Sequence, residues 1–374
     1  MLTFYAELLP NIKSISLLIS LPTPANASTR ATVDPGSTTA VLYHNGETTP
    51  LILPAQANPG PRQLVLTTVL GEKTLSSRLP LAAPSTTASY DNENYAPWSA
   101  LQLSSKESVS YCCRACKAVV LPSGRIQKWK NLPSGNWADM MDFWHCHKPH
   151  DHVKEKTNKE SKEPTGGGRY STFGQGFAVE QGVGLVDRGY FLFSSKDCDS
   201  VQIVDEKVTC SSCNSILGAP DRGVSSEDSP LWRLNKWNLS LNEAESHPLE
   251  CFLSAQFITY AEEGGVRRLL VTNENNTQVT GLKVWVFNPD IRYTDTQESK
   301  PVRGIKVFWQ AVKKGEHVPT DSLKATGFEA VELDAKAFET LKRCLDESNS
   351  ALPVGIGKSG EWNVGALRRF EDTT

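Results

Sequence analysis

Tyr111-Cys112-Cys113-Arg114-Ala115-Cys116 opens a stretch that closes on Trp144-His145-Cys146-His147, with His150 and His152 just behind. It holds four of the chain's seven histidines and four of its nine cysteines. A second Cys-x-x-Cys, Cys210-Ser211-Ser212-Cys213, lies far downstream. Thiolate and imidazole are the ligands Zn²⁺ prefers, and a Cys-x-x-Cys turn lets two sulfurs reach one ion at tetrahedral angles. The pattern therefore predicts a fold whose hairpins are stapled by zinc.

Both knuckles carry the same signature. A β-type run enters, Ser108 to Tyr111 in one case and Val201 to Thr209 in the other, and a few small residues lead out to Leu121 or Leu217. Gly218 follows Leu217 and is read as ending the second knuckle. Upstream, Thr39 to Tyr43 and Pro50 to Leu53 flank Asn45-Gly46, a pair suited to the positive φ values of a tight hairpin. Gln63 to Leu70 is a further strand, closed by the turn Gly71-Glu72-Lys73. Beyond Cys116, Ser134 can cap a helix that places Trp137, Met141 and Trp144 on one core-facing side. Residues 154–168 are charged, then Gly-rich, and too poor in apolar area to order themselves, so they are expected to be a flexible insertion.

Gly182 to Ser194 reads as strand, and Pro230 to Leu241 as one half-buried strand. Leu249, Phe252, Leu253, Phe257 and Tyr260 recur at helical spacing until Gly264-Gly265. Val266 to Thr272, Gly281 to Phe287 and Gly304 to Val312 are strands, and a last helix after Asp334 turns Phe338, Leu341, Cys344 and Leu345 inward. The expectation is an α+β fold, mostly antiparallel β with a few short helices. Three regions follow from these readings. Residues 1–105 are β-rich, 106–220 carry the knuckles and the insertion, and 221–374 are α+β, one continuous unit being the alternative.

At 374 residues, 39% hydrophobic and 22% charged, the chain is an ordinary globular one with room for a large core. A net charge of −3 gives no electrostatic footprint for direct nucleic-acid binding. No run approaches the apolar length of a membrane span, and Ile15 to Leu21 lacks the basic flank of an export signal. The cysteines are therefore expected to be reduced thiols, in cytosol or nucleus.

Three ligand sets are open. Cys113, Cys116, Cys210 and Cys213 can form one Cys₄ site joining two hairpins distant in sequence, which is the preferred set. Cys113 and Cys116 can instead combine with Cys146 and His147, or with His145 and His147. Both sites can also coexist, with His150 and His152 completing one. Cys112 is excluded if Cys113 ligates, since neighbours in a strand point to opposite faces. Every set fills the ion with protein ligands, which makes the zinc structural. A phosphate loop, a Gly-x-Ser-x-Gly elbow and a dinucleotide fingerprint are all missing from the sequence.

Leu132-Pro133-Ser134-Gly135-Asn136-Trp137, then Trp144-His145-Cys146-His147, set between the two Cys-x-x-Cys pairs with Leu217-Gly218 after the second, make the chain resemble a known family. It is similar to the HECT-like ubiquitin-conjugating-enzyme-binding proteins, a ubiquitin-ligase family. The resemblance implies binding to a ubiquitin-conjugating enzyme and assistance in transferring ubiquitin. Fungal relatives linked to pre-mRNA 3′-end processing imply a second reading, a zinc-stapled scaffold for RNA-processing factors. His145 stands where relatives carry Cys. Leu352-Pro353 echoes the catalytic segment of true HECT ligases, but Val354-Gly355-Ile356-Gly357 follows it without a cysteine. Once the Cys₄ set is assigned to zinc, with Cys146 as a possible further ligand, Cys112, Cys198, Cys251 and Cys344 are left as thiols able to carry ubiquitin. Cys344, near the C-terminus beside Lys342 and Arg343, is the weak candidate; its core-facing position favours a non-covalent role.

Overall fold

The computed structural model describes residues 1–58, 64–67, 70–82, 96–132, 180–226, 229–242, 245–262, 264–273, 281–298, 300–312 and 327–371. The helix read around Trp137 to Trp144, the ligand candidates His145, Cys146, His147, His150 and His152, and the insertion at 154–168 lie outside the described residues. Within them the protein is α+β. Mostly antiparallel strands form its sheets, joined by three helices, Ala100–Ser104, Leu249–Glu262 and Ala335–Ala351. The chain divides into two compact units, Met1–Tyr95 with Leu249–Thr374, and Ala96–Pro248.

The first unit opens with the hairpin Thr3–Leu9 and Ser14–Ser20, in which Tyr5 faces Leu18. Its apolar side, with Phe4, Ala6, Ile15, Leu17 and Ile19, shares a core with Ala31, Val33, Leu42 and Leu51 of a small four-stranded sheet. Thr39–His44 and Glu47–Ile52 of that sheet are joined by Asn45 at φ 53° and Gly46 at φ 82°, the doubly positive turn expected of Asn-Gly.

Strand Gly281–Asp295 is the spine of the large nine-stranded sheet. Antiparallel to it, Arg268–Asn273 runs along one part and Thr3–Leu9 along another, where Tyr5 faces Asp295. The sequence shows strand character only as far as Phe287, because Pro289 follows. The strand passes that proline through register shifts between Val286 and Ile291, since proline cannot donate to a ladder. The irregular stretch is tied down by Arg303, whose guanidinium meets Asp290 at 2.8 and 3.0 Å, and by Arg369, which donates to the Pro289 carbonyl at 2.8 Å.

Asp334 caps the last helix by accepting the Ala337 N–H at 2.8 Å, and Phe338, Leu341 and Leu345 are buried beneath it. Leu249–Glu262 ends before Gly265, at φ 63°, as its two glycines foretell. Side chains of both helices finish the backbone of strand Trp362–Arg368. Ser348 Oγ accepts from Ala366 N, Asn349 donates to Val364 O, and Glu250 accepts from Arg368 N, at 2.7 to 3.0 Å. These contacts satisfy groups that a bare strand edge would leave for another chain.

The second unit has a seven-stranded sheet and a three-stranded one. Its core is aromatic, with Tyr111, Phe191 and Phe193 buried and ring centroids 4.8 Å apart for Tyr111 and Phe191, 5.4 Å for Phe191 and Phe193. The segment from Pro230 to Leu241 is not one strand. Ser229–Asn235 belongs to the large sheet, Lys236–Asn238 is a 3₁₀ turn, and Leu239–Leu241 pairs with Tyr111–Cys113 in the small one. The break falls at Lys236, whose side chain is turned into the core.

Candidate metal centre

The first knuckle joins strands Tyr111–Cys113 and Val119–Leu121 of the three-stranded sheet. The second joins Lys207–Cys210 and Ile216–Ser226 of the seven-stranded sheet. Their backbones match group for group. Cys113 O accepts from Lys117 N at 2.8 Å, and Cys113 N donates to Ala118 O at 2.8 Å. Cys210 O accepts from Asn214 N at 2.8 Å, and Cys210 N donates to Ser215 O at 2.9 Å. Lys117 and Asn214 both take positive φ, 65° and 57°, to close the turns. Leu121 and Leu217, the aliphatic residues shared by the two motifs, are fully buried.

The two turns bring four sulfurs together. Cys113 Sγ lies 3.7 Å from Cys213 Sγ, and Cys116 Sγ 3.6 Å from Cys210 Sγ. All four ligand atoms fall within 4.8 Å of one another. A tetrahedral zinc with Zn–S bonds of about 2.3 Å has sulfurs about 3.8 Å apart, so the observed edges fit a thiolate-bound ion. The electrostatics differ from one sulfur to the next. Burial pushes the Cys113 thiol up to about 12, while the hydroxyl and N–H of Ser215 hold Cys213 down at about 6. Without a cation the protons are shared unevenly; a divalent ion would draw all four sulfurs into the thiolate form. Cys113 and Cys210 are buried, Cys116 is exposed and Cys213 partly so, giving the cluster one inner and one outer side.

Among the described residues, the other thiols stand apart from this cluster. Cys112 is 1% exposed and faces Ser240 across the small sheet. Cys344 is buried on the inner side of the last helix, and burial, with Glu250 nearby, pushes its thiol up to about 11. Burial likewise pushes Cys251 and Cys198 up to about 12. None of Cys198, Cys251 and Cys344 is a ready thiolate near neutral pH.

Sequence reading missed two features of this unit. Lys236 is 1% exposed, and its Nζ donates to the carbonyls of Pro97 and Trp98 at 3.0 and 3.2 Å, 4.9 Å from the Phe191 ring centroid. The only signal was a lysine interrupting an apolar run. The second is the reason for Gly218. It does not end the knuckle but lies within strand Ile216–Ser226, and a Cβ there would meet the Arg233 carbonyl oxygen at 1.8 Å. Only glycine lets the strand behind the second knuckle come this close to its neighbour.

Two sheets clasped by a pair of matched Cys-x-x-Cys turns define a protein built around a four-sulfur cluster. Over residues 7–364 the chain matches the model of a family described as HECT-like ubiquitin-conjugating enzyme (E2)-binding, and it belongs to that family. It is similar to an uncharacterized protein of Saccharomyces cerevisiae, 26% identical over 71% of each chain. An uncharacterized protein of Schizosaccharomyces pombe is 24% identical over 83% of this chain and 89% of its own length. No solved structure matches the chain significantly.

Proposed function

We propose that the protein binds a ubiquitin-conjugating enzyme and assists ubiquitin transfer without forming a thioester of its own. Membership of the E2-binding family, over nearly the whole chain, is the observation that carries this reading. The conjugating enzyme keeps the ubiquitin thioester, and this chain positions it. In support, burial pushes the thiols of Cys198, Cys251 and Cys344 well above the ordinary range, whereas a transfer thiol must be exposed and activated.

Cys113, Cys116, Cys210 and Cys213 hold one structural zinc in this proposal. Bound there, it supplies no reaction chemistry, because protein sulfurs fill its four positions. Its role is to lock the three-stranded sheet to the seven-stranded one across a loop of about a hundred residues, where a cross-link removes more chain entropy than across a short one. The thiols stay reduced in cytosol or nucleus.

The test is capture of the purified chain by a panel of conjugating enzymes, each charged with ubiquitin. Binding to at least one is expected. Binding to none, with RNA-processing factors recovered from cells instead, would favour the non-enzymatic scaffold. Zinc measured on the same sample should be one equivalent; about two equivalents would place a second ion at Cys146 and His147.

A further inference from the structure

The nine-stranded sheet carries a groove of about 480 Å³ within the first unit, a size typical of ligand sites. Its floor holds an ion pair of the buried Glu7 with the half-buried Lys306 at 2.6 Å, and Tyr5 donates to the same carboxylate at 2.9 Å. One wall is the loop after the last helix, with Leu352, Gly355 and Ile356. This is the Leu-Pro segment that resembles a HECT catalytic loop but lacks its cysteine.

The side of the sheet on which the groove opens departs from ordinary pattern. Along Gly281–Asp295, Leu282, Val284 and Val286 turn inward and are at most 2% exposed. The alternate positions should then be polar, yet they include Trp285 and Phe287. Phe287 stacks on Phe308 at 4.7 Å, and Trp285 meets Phe308 at 5.4 Å and Trp362 at 6.2 Å. Phe287 is still 47% exposed, and Val354, on the loop that walls the groove, is 78% exposed. Phe308 is buried and Trp285 and Trp362 are half-buried, so the cluster presents Phe287 to solvent, and an exposed aromatic beside exposed aliphatic surface marks protein interfaces.

Charge says what fits. Arg268 lies over the Trp285 ring at 5.2 Å, Arg267 beside it is exposed, and Lys358 is exposed on the groove wall. Against these three cations stand the exposed Glu361, and Asp295 in the groove lining, so among these described groups positive charge leads. We infer that this groove and its aromatic shelf are the docking site for the conjugating enzyme, which would present bulky apolar side chains flanked by acidic ones. The inference rests on the E2-binding reading above and adds its location and its charge.

The experiment compares the full-length wild-type chain with Phe287→Asp, Val354→Asp and Lys358→Glu, each checked for unchanged melting temperature and zinc content. A conjugating enzyme that binds the wild type should bind each variant about tenfold more weakly, or worse, a loss on the order of 1.4 kcal/mol. Raising salt should weaken the wild type more than Lys358→Glu. If the wild type binds and all three variants bind within about twofold of it, the location is wrong while the binding reading stands. If the wild type binds no conjugating enzyme, the binding reading itself falls. Self-association of the wild type, abolished by Phe287→Asp without effect on enzyme binding, would assign the groove to a second copy and overturn the proposal.

Discussion

The second unit holds a sulfur cluster and a buried lysine, and each makes a prediction. Cys213 is one of four sulfurs at tetrahedral spacing, so Cys213→Ser should lose both metal and stability. Structural zinc contributes on the order of 10 kcal/mol in small domains. Elemental analysis of the wild type showing less than about half an equivalent of zinc would contradict the Cys₄ assignment. Lys236 is a different case. Burial pulls its ammonium down to about 7, against the opposing field of Asp187. The unfolded chain, with an ordinary lysine near 10.4, then binds more protons than the folded one between those values. Stability from this site is therefore lost as pH falls toward 7 and gained as it rises, by up to about 1.4 kcal/mol per pH unit. Lys236→Met leaves the Pro97 and Trp98 carbonyls without their donor and should be less stable overall, but its stability should change less between pH 7 and 9 under saturating zinc. Equal slopes for the two proteins in denaturant titrations would refute this account.

At the scale of elements, each Cys-x-x-Cys was legible as a turn between strands, because few other structures use that spacing in a β context. The hairpin at Asn45-Gly46, the cap at Asp334 and the stop at Gly264-Gly265 were legible for the same reason. Each is a local requirement met by one or two residue types. Less local features were not. Pro289 hid the second half of the spine strand, since its bulge is held by Arg303 on the next strand and by Arg369, far along the chain. Lys236 hid a change of sheet. Gly218 was visible as part of a motif, but its cause lies on Arg233 of the neighbouring strand. That cause makes it testable. Gly218→Ala sets a methyl against backbone that cannot swing away and should cost more than about 3 kcal/mol, well above an ordinary point change. Urea unfolding within about 1 kcal/mol of wild type would show that the strands separate more easily than the structure suggests.

For the molecule as a whole, pairing over long distances was beyond a reading of the sequence. Thr3–Leu9 lies against the end of Gly281–Asp295, and no composition or period announces a contact across so much chain. The sulfur cluster was an exception, because chemistry limits the partners a Cys-x-x-Cys can take. The same constraint shapes the function. Four cysteines are committed to the cluster, and burial holds Cys251 and Cys344 protonated. On the proposal above, the protein holds a charged conjugating enzyme and does not accept its ubiquitin. The most direct measurement is a single-turnover discharge assay, with ubiquitin-charged conjugating enzyme and this chain resolved on non-reducing gels. The account predicts faster loss of ubiquitin from the conjugating enzyme and no thiol-reducible ubiquitin adduct on this chain. A reducible adduct, abolished by Cys344→Ala while fold and zinc content survive, would contradict it.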